Sequence, residues 1–70
     1  MVKFAERLRE LRMEKKITQQ SMADHLGIKL RSYQCYEGGD RRPDYETLFV
    51  LADHFGVTLD YLLGRSNERS

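Results

Sequence analysis

Apolar residues recur along the chain with the spacing of amphipathic helices. Phe4, Leu8 and Leu11 are three or four positions apart, and charged residues fill most of the positions between them. This period places the three side chains on one face, so the pattern predicts a first helix from about residue 3 to about residue 15. No segment of the sequence shows the strict alternation of a half-buried strand, which favours an all-helical fold.

Capping residues predict two short helices in the next segment. Thr18 is a good N-cap, and Gly27 is able to adopt the left-handed conformation that ends a helix. We therefore expect a second helix from about residue 18 to 26. A third helix follows after a three-residue turn, from about residue 29 to 37, and the glycines at positions 38 and 39 close it.

Two further helices are predicted in the second half of the chain. Asp44 is a suitable N-cap for a fourth helix that ends at Gly56. Its apolar residues recur at i, i+3, i+4 and i+7, and these are Leu48, Leu51, Ala52 and Phe55. Thr58 is the predicted cap of a short fifth helix that stops at Gly64. The remaining residues, 65–70, form a polar tail that we expect to be frayed.

The third helix divides into two faces. At about 100° per residue, Tyr33 and Tyr36 fall on one side, where their rings pack inward. The other side carries Leu30, Arg31, Gln34 and Cys35. Two short helices joined by a turn with glycine are typical of the helix-turn-helix motif, which we place at about residues 18 to 38. This division predicts that one face anchors the helix and that the other meets a partner.

Length and composition restrict the class of protein. Seventy residues suit one domain, and a hydrophobic fraction of 40% with 33% charged residues is in the globular range. The single cysteine, Cys35, cannot form an internal disulfide, and the N-terminal residues are charged. No apolar run approaches the ~20 residues of a membrane span. We therefore expect a cytoplasmic protein without a membrane segment.

Charge is distributed unevenly, although the net charge is only +1. Residues 1–42 contain ten Lys or Arg against six Asp or Glu, whereas residues 44–63 contain four acidic residues and no Lys or Arg. The basic part is suited to face phosphate, and the acidic 44–63 segment is suited to contact a protein partner.

The motif and its flanking segments resemble a known family. The stretches ERLRELRMEK, TQQSMADHLGI, SYQCYEGG, RRPDYETL and LADHFGVTLDYLLG are similar to lambda-repressor-like (Cro/CI, xenobiotic-response-element type) helix-turn-helix DNA-binding domains. The resemblance extends over about residues 3–64, and it implies a compact five-helix domain within residues 1–64 whose third helix enters the major groove of double-stranded DNA. It also implies a homodimer on a palindromic operator, as in a repressor of the phage or mobile-element type.

The outer face of the third helix contains the residues expected to read bases, because recognition helices contact bases with their N-terminal residues. Arg31 is suited to donate two hydrogen bonds to guanine, Gln34 to pair with adenine, and Leu30 to pack against a thymine methyl group. Leu30 is equally compatible with a place in the core, and Arg31 and Gln34 with a solvated helix face. Cys35 is at the edge of this face. One interpretation is a contact with DNA, with or without redox control, and the alternative is an inert cysteine, as most lone cysteines are.

Four polar residues near the third helix are assigned to the DNA backbone. Lys29 departs from the Ser or Thr that the family usually has at this N-cap, and we hypothesise that a phosphate contact offsets the lost cap. Gln19 matches the position at which the family contacts phosphate and braces the recognition helix, and a helix N-terminus also favours an anion. Arg41 and Arg42, in the following loop, resemble backbone or minor-groove contacts. The alternative for each is a hydrated surface residue.

Arg12 and Glu37 match a pair that, in family members, bridges the first helix to the end of the recognition helix. Considered without the family resemblance, each residue is simply a charged residue at the surface. In a semi-buried pair, the loss of either partner costs about 3 to 5 kcal/mol, because the other charge is stranded.

Metal binding and catalysis are not indicated. His25 and His54 fall on separate helices without a Cys or acidic cluster at ligand spacing. Asp53, next to His54, has no accompanying nucleophile motif, and so small a domain has little room for a substrate cleft. We therefore expect neither an enzyme nor a bound cofactor.

A dimer contact and a second class of function complete the expectations. Three residues of the last helix, together with exposed parts of the acidic segment, are candidates for the dimer contact. The three are Tyr61, Leu62 and Leu63, and their alternative role is to seal the core. The alternative function is a protein-interaction helix-turn-helix module, such as an antitoxin or an antirepressor. The seventy residues fit a complete small regulator or the front part of a longer repressor.

Overall fold

The structure, a computed structural model, describes residues 2–70. It contains five α-helices in chain order, which are α1 (Val2–Glu14), α2 (Gln19–Leu26), α3 (Leu30–Gly38), α4 (Tyr45–Phe55) and α5 (Leu59–Leu62). No strand occurs in this part of the chain, so the predicted all-helical fold with five helices is confirmed. No helix within the described residues has both the length and the apolar character needed to cross a membrane.

Local capping explains where three of these helices begin and how α2 ends. Thr18, Asp44 and Thr58 each accept a hydrogen bond from the backbone N–H three residues further on, at 2.9 to 3.0 Å. Each bond satisfies a backbone donor that has no partner within the first turn of its helix. Gly27 ends α2 with a φ of +69°, which glycine adopts without steric cost. The three predicted N-caps and this helix end are confirmed.

The inner faces of the helices share one hydrophobic core. Tyr33 of α3 is completely buried and Tyr36 is 9% exposed, so both rings face inward as predicted. Ala23 of α2 is also completely buried, and its small side chain allows α3 to cross α2 closely. The other buried apolar residues are Phe4, Ala5, Leu8, Leu11, Met22, Leu48, Leu51, Ala52, Phe55, Tyr61 and Leu62. This packing sets the orientation of α3, which lies against both α1 and α2.

Residues of α5 belong to this core. Tyr61 is 8% exposed and Leu62 is completely buried, whereas Leu63 is half-buried. Of the two roles considered for these residues, the structure supports sealing the core, because Tyr61 and Leu62 lack the free surface that a dimer contact requires. The reason is geometric: α5 is four residues long and packs against both α1 and α4.

The C-terminal tail packs back onto α1, so the predicted fraying of residues 65–70 is wrong. Nη2 of Arg7, a buried arginine of α1, donates a hydrogen bond to Oδ1 of Asn67 at 2.9 Å. The guanidinium group of Arg69 forms an ion pair with Glu14 at 2.7 Å. The sequence pattern does not reveal these contacts because the partners are 55 to 60 residues apart along the chain.

Candidate nucleic-acid interface

The outer face of α3 is free to meet a partner. Arg31 and Gln34 are both exposed, on the side of the helix away from the buried rings of Tyr33 and Tyr36. The division follows from the helical period, because successive residues project about 100° from each other. The two side chains assigned to base reading therefore lie at the surface of the domain and not in its interior.

Two half-buried residues accompany this exposed face. Leu30, the first residue of α3, has part of its side chain covered and part accessible. Its position is therefore compatible both with packing and with contact to a thymine methyl group. Cys35 is likewise half-buried, and it presents only part of its surface.

Arg41 and Arg42 are exposed in the loop between α3 and α4. The backbone N–H groups of Asp40 and Arg41 both donate to the carbonyl group of Cys35, at 3.0 and 3.3 Å. These bonds tie the start of the loop to α3. The two arginines therefore project from a segment whose path is set by the end of that helix.

Lys29 occupies the N-cap position of α3 without capping it. Its backbone is extended, with φ of −73° and ψ of 149°, and its side chain makes no capping hydrogen bond within residues 2–70. The side chain is exposed. The start of α3 therefore lacks the stabilisation that the other N-caps provide, and it has a cation near the positive end of the helix dipole.

A buried carboxylate joins α3 to the two helices before it. The side chain of Glu37, near the end of α3, is only 5% exposed. It accepts hydrogen bonds from Nε and Nη2 of Arg12, from the hydroxyl group of Tyr33 and from Nε2 of Gln19. Arg12 belongs to α1 and Gln19 to α2, so one carboxylate connects three helices. Arg12 and Glu37, which the sequence pairs by resemblance, form a bidentate ion pair in the structure.

The same network reaches the exposed face of α3. Oε1 of Gln19 accepts a hydrogen bond from Nε2 of Gln34 at 3.3 Å, and Nε2 of Gln19 donates to Glu37 at 3.1 Å. A side chain of α2 therefore holds Gln34 in place. Nη1 of Arg12 donates to the carbonyl group of Ile17 at 2.8 Å, which ties the connection between α1 and α2 to the same cluster.

Burial and hydrogen bonding act in opposite directions on the Glu37 carboxyl group. Burial disfavours the charged form, but the hydrogen bonds from Arg12, Tyr33 and Gln19 outweigh it and hold the pKa of Glu37 below its ordinary value. Burial and the bond to Glu37 raise the pKa of the Tyr33 hydroxyl group well above its ordinary value. At neutral pH the network therefore contains a charged carboxylate and a neutral phenol that donates to it.

A groove of about 450 Å³ lies beside this network. Its lining comes from α1, α2 and α3 and consists of Arg9, Arg12, Gln19, Gln34, Glu37 and Gly38. Arg9 is exposed, and its presence here is not apparent from the sequence because it is one of many charged residues on α1. The available signal is its spacing of three residues from Arg12, because residues i and i+3 share a helix face.

The structure brings together two histidines that lie on separate helices. The ring centroids of His25 in α2 and His54 in α4 are 4.4 Å apart. Partial burial lowers the pKa of His54, and the neighbouring side chains of His25 and Lys15 lower it further. Residues 2–70 contain no group of three or more His, Cys, Asp or Glu side chains placed to hold a metal ion. In the structure, the pair is a contact between α2 and α4.

These features together define the class of the chain. Two short helices meet at a glycine turn, the first braces the second through a buried polar network, and the second presents an exposed polar face. This arrangement is the helix-turn-helix fold. The family model described as "Helix-turn-helix domain" matches residues 5–68, and the chain belongs to that family. The family predicted from the sequence is thereby confirmed.

Three relatives show how the family is represented. The chain is 52% identical over 67 residues to the uncharacterized HTH-type transcriptional regulator YqaE of Bacillus subtilis, over 94% of this chain and 58% of YqaE. It is 48% identical over 64 residues to the HTH-type transcriptional regulator AnsR of the same organism, over 91% of this chain and 55% of AnsR. It is 42% identical over 64 residues to the cryptic phage CTXphi transcriptional repressor RstR of Vibrio cholerae, over 91% of this chain and 57% of RstR. The chain therefore spans little more than half the length of each of these relatives.

Proposed function

We propose that this chain is the DNA-binding domain of a transcriptional regulator and that it reads a specific double-stranded sequence with the outer face of α3. The observation that carries the proposal is the orientation of Arg31 and Gln34, which are exposed while the rings on the opposite face are buried. The named regulators support it, because the shared part covers 91 to 94% of this chain. The proposed role needs no catalysis, and the proposed location is the cytoplasm.

In this proposal the side chains of α3 read bases. Arg31 donates two hydrogen bonds to O6 and N7 of guanine, Gln34 bonds to adenine, and the accessible part of Leu30 packs on a thymine methyl group. Gln19 holds Gln34 in advance, which reduces the conformational entropy lost on binding. Cys35 contacts DNA at the edge of the face. The residues assigned to the DNA backbone are Gln19, Lys29, Arg41 and Arg42.

The proposal includes a homodimer that binds a palindromic operator as a repressor of the phage or mobile-element type. One module of this kind buries about 600 to 1,000 Å² on DNA, and two-fold dimers bind half-sites about one helical turn apart. Because Tyr61 and Leu62 belong to the core, we assign the dimer contact to exposed apolar residues of α4, namely Tyr45, Phe49 and Val50. The repressor assignment is supported by the similarity to the phage repressor RstR.

Selection of bound duplexes from a random DNA pool tests the proposal directly. A sequence-specific dimer enriches a palindrome. Its affinity falls as salt rises, and a plot of the logarithm of the association constant against the logarithm of the salt concentration has a slope near −0.9 for each phosphate contact. Enrichment of a single, non-palindromic site would contradict the dimer but not the reading of DNA. Failure to bind any duplex at low salt would contradict the whole proposal.

Arg31→Ala is expected to weaken binding to the selected site by about 1 to 3 kcal/mol for each half-site, because a bidentate contact with guanine is lost. The loss of affinity should depend on one base pair. Changing that base pair should weaken binding by the wild-type protein but not binding by the variant. Competition binding with single-base-pair variants of the site measures the effect. Arg65→Ala, which removes an exposed arginine beyond α5, is the control and should keep the base preference. An equal loss for every duplex would show that Arg31 contacts only the backbone.

Lys29→Ser is expected to raise the melting temperature and to weaken DNA binding equally for all sequences. A serine N-cap is worth about 1 kcal/mol, or about 4 to 8 °C in a domain of this size. The loss of a phosphate contact lowers affinity without changing base preference. Thermal unfolding followed by circular dichroism, and titrations with the selected and a random duplex, measure the two effects. Unchanged affinity would exclude the phosphate role, and unchanged melting would exclude the capping explanation.

A second function is favoured by one observation on α4. Tyr45 is 77% exposed and Phe49 is 53% exposed, on a segment, residues 44–63, that contains four acidic residues and no Lys or Arg. A protein-interaction module such as an antitoxin or antirepressor would use this surface to contact its partner. Such a module binds no DNA at low salt, so the salt titration above separates the two functions.

A further inference from the structure

The groove of about 450 Å³ beside the polar network is lined in part by an exposed arginine, Arg9, a residue type suited to binding an anion. The charged residues of its lining are Arg9, Arg12 and Glu37. Arg12 and Glu37 neutralise each other, and the carboxylate receives two further hydrogen bonds. Within residues 2–70, Arg9 takes part in no ion pair, although Glu6 and Glu10 share the outer surface of α1 with it.

Amide donors lie in the same groove. Each glutamine amide nitrogen carries two N–H groups. Gln19 uses one of them to reach Glu37, and Gln34 uses one to reach Gln19. A second N–H of each amide is left for another acceptor. The groove therefore combines one available cation with amide donors, while its only carboxylate is already occupied.

We infer that Arg9 contacts a phosphate group of the DNA backbone, which lies in this groove when α3 is in the major groove. The inference rests on the proposed function. Gln34 belongs both to the reading face and to the groove, so a duplex whose bases meet Gln34 has a sugar–phosphate strand beside α1. Phosphate contacts fix the register of a protein on DNA. Arg9 is thus a positioning residue supplied by a helix outside the helix-turn-helix motif.

For each half-site, Arg9→Gln is expected to weaken binding to the selected duplex about threefold to tenfold and to reduce the magnitude of the salt slope by about 0.9. Base preference should stay the same, because a phosphate contact carries no sequence information. Arg65→Gln makes the same charge change at an exposed position beyond α5 and should leave the slope unchanged. The melting temperature of Arg9→Gln should equal that of the wild type, because the side chain is exposed.

Duplexes that carry a single neutral methylphosphonate identify the phosphate involved. At one position in each half-site, the substitution should weaken binding of the wild-type protein but not of Arg9→Gln. The inference is overturned, and DNA reading stands, if the variant keeps the wild-type salt slope. It is also overturned if the variant is weakened by a methylphosphonate at every position that weakens the wild-type protein. A lower melting temperature of the variant would instead assign Arg9 a structural role. If the wild-type protein binds no duplex at low salt, the proposed function itself fails.

Discussion

Glu37→Ala is expected to lower the free energy of unfolding by about 3 to 5 kcal/mol, which is a large share of the stability of a small domain. The substitution leaves Arg12, whose side chain is 14% exposed, without its counter-charge. It also removes the acceptor for the Tyr33 hydroxyl group and for the Gln19 amide. Urea unfolding followed by circular dichroism measures the loss.

A double-mutant cycle separates the pair from the rest of the network. Arg12→Met and Glu37→Met, alone and combined, should show a coupling energy of about 1 to 3 kcal/mol, because each single variant strands the other charge. Glu37→Gln is the conservative control, since it keeps the volume and one acceptor oxygen. A coupling energy near zero would mean that the ion pair contributes nothing beyond the packing of its side chains.

The pH dependence of stability is a second measure of Glu37. Its pKa in the folded protein is below the ordinary value of about 4.3, so the unfolded chain binds this proton more tightly than the folded protein does. The stabilisation is therefore complete above that ordinary value, and it is lost as the pH falls through the lower pKa of the folded state. Glu37→Gln should show a flatter stability profile in this acidic range, and an unchanged profile would contradict the assignment.

Arg7→Met is expected to lower the free energy of unfolding by about 2 to 4 kcal/mol. The side chain of Arg7 is buried, and its guanidinium group donates to the carbonyl groups of Tyr61 and Ser66 and to Oδ1 of Asn67. The same group lies 4.0 Å from the centroid of the Tyr61 ring, a cation–π contact. Methionine preserves the apolar stem but provides no donor, so three acceptors lose their partner and the tail loses one of its side-chain attachments to α1, another being the Arg69–Glu14 ion pair.

Arg69→Gln is the matched control for Arg7. Arg69 also contacts the far end of the chain, but it pairs with Glu14 at the surface, where the two side chains are 46% and 51% exposed. An exposed pair contributes about 0 to 1 kcal/mol. Urea unfolding of both variants compares a buried with an exposed arginine. If Arg7→Met costs no more than Arg69→Gln, the buried hydrogen bonds are not what holds the tail.

Local features of the site were predictable from the sequence. Thr18 and Gly27 define the ends of α2 through interactions that lie within four residues, and the inward side of α3 follows from the spacing of Tyr33 and Tyr36. The pairing of Arg12 with Glu37 required the family resemblance, because their spacing in the sequence indicates nothing about contact.

Other contacts of the site were not predictable from the sequence. Tyr33 lies four residues before Glu37 on α3, within one helical turn, but Gln19 of α2 joins Glu37 only because α1, α2 and α3 pack around one carboxylate. Arg9 reaches the groove beside Gln34 for the same reason. Each of these arrangements depends on the angle between helices, and helix period and capping do not determine that angle.

The sequence by itself determined the five helices, their caps and the two-faced character of α3, because these features arise from interactions between residues within about four positions of each other. Only the tertiary structure decided that Tyr61 and Leu62 seal the core, that the tail returns to Arg7, and that His25 meets His54. The physical reason is that such contacts join residues 29 to 60 positions apart, and their formation depends on how the helices pack as a whole.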